Sequence, residues 1–147
     1  GPGIEAGLLC HEPVVGYDFL PTFHDLAGGN PKSLSKEVDG VSIRPLFADP
    51  DAGLDRPENA LFFHRPNRLM SAVRQGDDKL MVFYNPKGEV NTLELYDVNG
   101  DPREIESRDR STAEPDKTRA LLELLNGYLD QVDAEKPGRA SPKKQPK

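Results

Sequence analysis

The chain has 147 residues, of which 35% are hydrophobic and 30% are charged, and its formal net charge at pH 7 is −6. This length and apolar content allow one modest core. The negative charge argues against nucleic acid as a partner, and the chain contains no apolar run near the roughly 18–20 residues that a membrane span needs. The single cysteine, Cys10, excludes an internal disulfide and a multi-cysteine zinc site.

The first predicted element is a helix over about residues 18–27, which Gly28 and Gly29 end. Pro21 lies inside this pattern, and its missing N–H costs nothing if it falls in the first turn. Either Asp18 or Leu20 fits as the capping residue, and the pattern leaves both open. The apolar residues at helical spacing are Tyr17, Leu20, Phe23 and Ala27.

His24 and Asp25 are neighbours on this helix and raise the question of a catalytic pair. Adjacent helical residues point about 100° apart and do not face each other. The spacing therefore favours two polar residues on the helix surface.

After residue 58 the apolar pattern changes to period two or to short continuous runs, which are typical of strands. Gln75-Gly76-Asp77-Asp78 is typical of a tight hairpin turn. We therefore expect a small antiparallel sheet. The predicted strands are Ala60–Phe63, Leu69–Arg74, Lys79–Tyr84 and Thr92–Asp97.

The last predicted element is a helix that lies across one face of this sheet. It begins either with a capping box of Ser111 and Glu114 or with Pro115 as its first residue. Residues 133–147 are predicted to form a disordered basic tail. The apolar face of the helix consists of Leu121, Leu122, Leu125, Tyr128, Leu129 and Val132.

A polar cluster follows the first strand directly and is the best candidate for a binding site. Two arginines with a histidine and an asparagine can bind sulfate, carboxylate or phosphate. The alternative is a solvated loop whose arginines pair with acidic surface groups. The candidate substrate-binding residues are His64, Arg65, Asn67 and Arg68.

Two other segments fail the tests for catalysis or metal binding. Asp97-Val98-Asn99-Gly100-Asp101 resembles the start of a calcium loop, but Pro102 and Arg108 occupy positions that need glycine and glutamate. Cys10 has His11 beside it, yet sequence neighbours rarely form an activated pair. We therefore predict no catalytic residue and no metal ligand in this chain.

Four segments, in order, resemble motifs of the sulfatase family over residues 1–132. One departure is Asp78, where the family often has an aromatic residue. The segments are Asp18-Phe19-Leu20-Pro21-Thr22 with Leu26-Ala27-Gly28, Asp39-Gly40-Val41-Ser42 with Pro45-Leu46, Ala72-Val73-Arg74 with Gly76-Asp77-Asp78-Lys79-Leu80, and Glu94-Leu95-Tyr96-Asp97 with Asp101-Pro102 and Glu104.

The resemblance implies an α+β chain that forms the C-terminal part of an alkaline-phosphatase-like α/β sulfatase fold. Residues 1–58 would complete the edge of the large α/β domain. Residues 59–132 would form a subdomain with an antiparallel sheet of about four strands and one C-terminal helix.

The resemblance also implies a sulfuric ester hydrolase whose formylglycine arises from Cys/Ser-x-Pro-x-Arg and whose calcium binds the sulfate. Cys10 fails this motif, because Pro13 is three places on and Val14 stands where arginine is needed. The chain alone is therefore expected to be inactive. Its expected partners are a missing N-terminal sulfatase domain and a sulfated small molecule or saccharide. A periplasmic, extracellular or lysosomal location is typical of the family.

Two other readings stay open at this point. The same superfamily includes hydrolases of phosphate or phosphonate esters, which the missing nucleophile would distinguish. The chain could also be a stand-alone binding or interaction module, for which a well-behaved monomer with a sharp unfolding transition would be evidence.

Overall fold

The structure is a computed structural model that describes residues 4, 6–35, 38–100 and 102–138, without the side chain of Glu106. The chain divides into two compact units, and the boundary falls between residues 59 and 60. The assignment of residues 1–58 to the edge of a large α/β domain stays a prediction.

The main helix of the first unit is α1, Phe19–Leu26, which follows a 3-10 turn at Gly16–Asp18. Asp18 is the residue that precedes the helix, so Pro21 is the third helical residue. The first four N–H groups of a helix have no partner within it. Pro21 therefore removes no hydrogen bond. Asp18 and not Leu20 occupies the position before the helix, although its side chain makes no capping hydrogen bond to α1.

The rest of the first unit consists of loops, short 3-10 turns and a single-turn helix α2, Pro45–Ala48, with proline at its first position. A Cβ at Gly40 would collide with the carbonyl oxygen of Tyr17. Only glycine allows this close approach between the loop and the start of α1.

The second unit contains a four-stranded antiparallel sheet in the order β1-β2-β3-β4, as the strand pattern predicted. Gly76, with φ of 59°, is the first of the two turn residues between β2 and β3, a position that favours glycine. The strands are β1 Ala60–Arg65, β2 Met70–Gln75, β3 Asp78–Tyr84 and β4 Val90–Asp97.

The helix α3, Pro115–Gln131, lies against β2 and β3 and closes the core of the second unit. Pro115 is its first residue, and no side chain caps it, so the capping-box alternative is wrong. Phe62 stacks on Tyr128 with ring centroids 4.0 Å apart. The buried core residues are Ala60, Val73, Leu80, Val82, Leu95, Leu121 and Leu125.

The segment after α3 returns to the sheet. The main-chain oxygen of Pro137 lies so close to Gly88 that a Cβ there would collide with it. The predicted tail begins within this described segment, and its residues 139–147 lie outside the described residues. No helix in the described part of the chain has the length and apolarity to cross a membrane.

Candidate functional site

The four candidate binding residues lie at the end of β1 and in the turn that follows it. A 3-10 turn at Pro66–Arg68 leads into Leu69, which has φ of 54° and closes the turn in the left-handed region. The amide of Tyr84, on β3, donates to the carbonyl of Leu69 at 2.8 Å. This hydrogen bond anchors the turn to β3.

The four side chains do not converge on one point. Successive residues of a strand point to opposite faces of the sheet. Phe62 stacks on α3, so His64 shares the face on which α3 lies, and Arg65 points to the opposite face with Phe63. His64 and Arg65 are therefore neighbours in sequence, but the pleat of the strand places their side chains on opposite faces of the sheet.

His64 is engaged in a chain of hydrogen bonds. Its Nε2 lies 2.8 Å from the carbonyl oxygen of Glu135, and its Nδ1 lies 2.8 Å from Ser71 Oγ. A carbonyl oxygen only accepts, so Nε2 carries a proton, and in the neutral ring Nδ1 accepts from Ser71. Tyr84 donates its hydroxyl to Ser71 Oγ at 3.1 Å. His64 therefore joins the sheet to the segment after α3.

The contact between Ser71 and His64 is not a nucleophilic pair. Ser71 is only 1% exposed, so no substrate reaches its hydroxyl.

Arg65, Asn67 and Arg68 are all exposed, and none of them has a hydrogen-bond or ion-pair partner among the described residues. Other arginines of the chain are paired: Arg44 with Asp25, Arg56 with Asp18, Arg110 with Asp78 and Glu114, and Arg119 with Asp116. The alternative in which Arg65 and Arg68 pair with acidic surface groups therefore has no support in the described structure. Their guanidinium groups are open to an anion.

The aspartate of the first sulfatase-like motif has a structural role. Asp18 is 0% exposed, and its two carboxylate oxygens accept from the two terminal nitrogens of Arg56 at 3.0 and 2.9 Å. The amides of Val15 and Val41 donate to the same carboxylate. Burial would raise the pKa of Asp18, but the hydrogen bonds from Arg56 and the two amides hold it below its ordinary value.

The threonine of the same motif joins α1 to the second motif. The hydroxyl of Thr22 donates to the carbonyl of Asp18 at 2.6 Å and accepts from the amide of Ile43 at 3.0 Å. This hydrogen bond connects the two motifs within the first unit.

Asp25 contacts Ser42 and Arg44, at 2.7 and 2.8 Å, and these hydrogen bonds lower the pKa of its carboxyl group. Asp25 is thus bonded to residues other than His24, and the expectation that the two form no catalytic pair stays a prediction. His24 itself is half-buried rather than on the surface. Its ring fits against Gly29, and its Nδ1 is buried without a hydrogen-bond partner in the described part of the chain.

Asp78, which departs from the family pattern, is part of an ion-pair network. Its carboxylate accepts from Arg110 and from Lys117, and both cations also contact Glu114. Four charged groups thus join the start of β3 to the start of α3, where the family often has an aromatic side chain.

The described residues contain no group of three or more His, Cys, Asp or Glu side chains placed to hold a metal. Asp97 accepts from the amides of Asn99 and Gly100 and stabilises its own turn. The exposed thiol of Cys10 lies 3.4 Å from the carbonyl oxygen of Pro50. These residues do not fit the formylglycine and calcium of a sulfatase, so no chemical step is assigned to this chain through either group.

Comparison with known proteins shows similarity to sulfatases over part of their length. No protein-family model matches the chain. It is 27% identical over 129 residues to an N-acetylglucosamine-6-O-sulfatase of Bacteroides thetaiotaomicron, and the match covers 83% of this chain and 22% of that protein. A solved structure of a protein in complex with its substrate D-glucosamine-2-N,6-O-disulfate matches 94% of this chain and 28% of its own, with a TM-score of 0.67 and 25% identity.

The chain is sulfatase-like. A putative sulfatase of Bacteroides fragilis shows the same fold, with a TM-score of 0.56 at 15% identity over 80% of this chain. The sulfatase-like chain spans about a quarter of the length of these proteins, between 22% and 28%. The predicted resemblance to the C-terminal portion of sulfatases is confirmed, and so is the predicted α+β fold with a four-stranded sheet and a C-terminal helix.

Proposed function

We propose that this chain acts as the C-terminal portion of a sulfatase: it supports the fold and helps to bind a sulfated substrate, but does not cleave the sulfate ester by itself. The partial match to sulfatases supports the first statement. The absence of Cys/Ser-x-Pro-x-Arg from the sequence supports the second. The nucleophile, the calcium and the N-terminal domain would belong to the rest of the enzyme.

The observation that carries the binding role is the pair of arginines, Arg65 and Arg68, with Asn67 between them on an anchored turn. Both guanidinium groups are exposed and lack partners among the described residues, in a chain with a net charge of −6. Guanidinium groups match the geometry of oxyanions, which they bind through two parallel hydrogen bonds. His64 would contribute by fixing the strand end and not by touching the substrate.

The names of the similar proteins support a proposal for the substrate class. One of them acts on a 6-O-sulfated amino sugar, and another is bound to a glucosamine that carries two sulfates. A disulfated sugar keeps one sulfate that is not being cleaved. We infer that Arg65 and Arg68 hold such a non-reacting anionic group, so that they select the substrate without taking part in the displacement.

The first experiment uses the chain as it is. NMR titration with D-glucosamine-2-N,6-O-disulfate at low salt is expected to shift resonances of the turn at Pro66–Arg68, and the double variant Arg65→Ala/Arg68→Ala is expected to bind about tenfold more weakly. Arg119→Ala on the exposed face of α3 is the matched control and should leave binding unchanged. Equal affinity of wild type and the double variant would overturn the binding role, and tighter binding of glucosamine 6-phosphate would favour a phosphate ester as substrate.

The second experiment uses a full-length sulfatase that carries these residues as its C-terminal portion. Arg65→Ala and Arg68→Ala are expected to raise KM more than they lower kcat, because the lost contacts hold a non-reacting group. An unchanged KM for both variants contradicts the proposal. Residues 1–147 alone should not hydrolyse a generic aryl sulfate, and turnover by the purified chain would show that the nucleophile lies within it.

A further inference from the structure

Two asparagines of the chain are followed directly by glycine, Asn99 by Gly100 and Asn126 by Gly127. All four residues are exposed, but the first pair lies in the turn after β4 and the second pair lies inside α3. We propose that Asn99 is a site of spontaneous deamidation, that α3 protects Asn126 from the same reaction, and that Asp97 slows the reaction at Asn99.

The reaction is an attack of a main-chain nitrogen on the side-chain amide of the preceding asparagine. The nitrogen of Gly100 loses its proton and bonds to Cγ of Asn99, the bond from Cγ to Nδ2 breaks, and Nδ2 leaves as ammonia. The succinimide ring that results takes up a water molecule and opens at either carbonyl, which gives aspartate or isoaspartate. Glycine favours the attack because it carries no Cβ that would crowd the nitrogen.

The turn after β4 leaves both reacting groups within reach of each other. The side chain of Asn99 has no hydrogen-bond partner among the described residues. The amide of Gly100 belongs to no strand or helix, and it donates to the side chain of Asp97 at 2.9 Å. This residue can therefore change its backbone angles without opening a regular element, which is the kind of local motion that costs least.

The helix α3 denies Asn126 the same approach. Gly127 lies in the interior of Pro115–Gln131, where each amide donates to the carbonyl four residues before it. The nitrogen of Gly127 therefore turns toward the side chain of Asn126 only when this part of the helix opens. The neighbouring Leu125 is buried in the core of the second unit, so opening costs free energy. The backbone, and not exposure, distinguishes the two asparagines.

Asp97 restrains the site in the turn. Its Oδ1 accepts from the amides of Gly100 and Asn99 at 2.9 and 3.1 Å. The hydrogen bond from Gly100, together with the one from Asn99, holds the pKa of the Asp97 carboxyl group below its ordinary value, so the group is charged at neutral pH. Ionisation of the Gly100 nitrogen would remove a donor and place a second negative charge beside the carboxylate, which is unfavourable.

The test incubates residues 1–147 at mildly alkaline pH, folded and in urea. Mass spectrometry of peptides produced at acidic pH follows both asparagines, and enzymatic methylation measures isoaspartate. In the folded chain Asn99 is expected to react at least about tenfold faster than Asn126, whereas in urea the two rates should agree to within about threefold. Asn99→Gln is the matched control, because its longer side chain would have to close a larger ring, and it should leave only the slow reaction at Asn126.

The role of Asp97 is tested by two variants. Asp97→Ala should raise the rate at Asn99 about threefold or more, and Asp97→Ser, which keeps an oxygen that can accept the amides but lacks the charge, should give an intermediate rate. Slow reaction at Asn126 in the same samples shows that α3 is still folded. A rate at Asn99 that neither variant changes would overturn the role of Asp97.

The site itself is overturned by either of two results. One is an equal rate at Asn99 and Asn126 in the folded chain, which would mean that the turn gives no advantage over α3. The other is an absence of product at Asn99 in the folded chain over the time that converts it in urea, which would mean that the turn protects Asn99 as the helix protects Asn126.

Discussion

Arg56 and Asp18 form a bidentate ion pair across 38 residues of sequence, with both side chains buried. The pair fixes the chain that leads into β1 against the start of α1. Because the carboxylate also accepts from Val15 and Val41, one side chain joins three segments of the first unit. This is what the aspartate of the Asp-x-x-Pro-Thr motif does here.

Removing the cation should destabilise the first unit strongly. Arg56→Ala leaves the Asp18 carboxylate buried without its partner, and we expect a loss of about 3–5 kcal/mol in free energy of unfolding. The measurement is urea unfolding followed through NMR resonances of the first unit. Arg44→Ala removes an exposed partner of Asp25 and should cost at most about 1 kcal/mol. Equal losses of unfolding free energy in Arg56→Ala and Arg44→Ala would show that burial does not increase the contribution of the Asp18–Arg56 pair to stability.

Asp109 should make the second unit sensitive to acid. Burial would raise the pKa of this carboxyl group, but hydrogen bonds from the amides of Leu95 and Ser111 and from the Ser111 hydroxyl lower it below the ordinary 3.8. A lowered folded-state pKa means that the stabilisation is complete above the unfolded-state value and is lost as pH falls through the folded-state value.

Asp109→Asn is therefore expected to reduce the stability of the second unit at neutral pH and to make its decline below about pH 4 shallower than in wild type. Urea midpoints measured between neutral pH and strongly acidic pH check this. If the urea midpoints of wild type and variant depend on pH in the same way, Asp109 is not responsible for the acid sensitivity of the second unit.

Gly127 offers a stabilising substitution. It lies inside α3, is exposed, and nothing lies within 4 Å of the position that a Cβ would take. Gly127→Ala should raise the free energy of unfolding by about 0.5–1 kcal/mol, since alanine has the higher helix propensity. Gly88→Ala is the contrasting control: its φ of 84° and the nearby carbonyl of Pro137 predict destabilisation. Thermal unfolding of both variants should show a higher Tm for Gly127→Ala and a lower Tm for Gly88→Ala than for wild type.

His64 and Arg65 are neighbours with different expected roles. His64→Ala removes the acceptor of buried Ser71 and the donor to Glu135, and we expect a loss of about 1–3 kcal/mol with faster amide exchange over residues 133–138. Arg65→Ala should change neither quantity, because Arg65 has no partner among the described residues. If both variants alter exchange equally, the hydrogen bond from His64 to Glu135 does not hold this segment.

The local patterns predicted much of the fold. Apolar residues in alternation or in short continuous runs located all four strands to within a few residues, since a strand buried on one face alternates and one buried on both faces is continuously apolar. The i, i+4 and i, i+7 spacing located α3, and of the two starts that the sequence left open the structure has Pro115 as the first residue. The motifs around Asp18 and Gly40 predicted the resemblance to sulfatases, although their physical reasons became visible only in contacts with distant residues.

The tertiary structure decided what the polar residues do. The sequence order places His64 beside Arg65, but the strand points them to opposite faces, and only the fold brings Ser71 and Glu135 to His64. Arg56 carries no local pattern that marks it as the partner of Asp18. The spacing identifies the apolar stripe of α1, but only the structure shows that Asp18, Thr22 and Asp25 bind distant residues from the same helix. Spacing along the chain determines which residues share a face, whereas long-range contacts determine what that face meets.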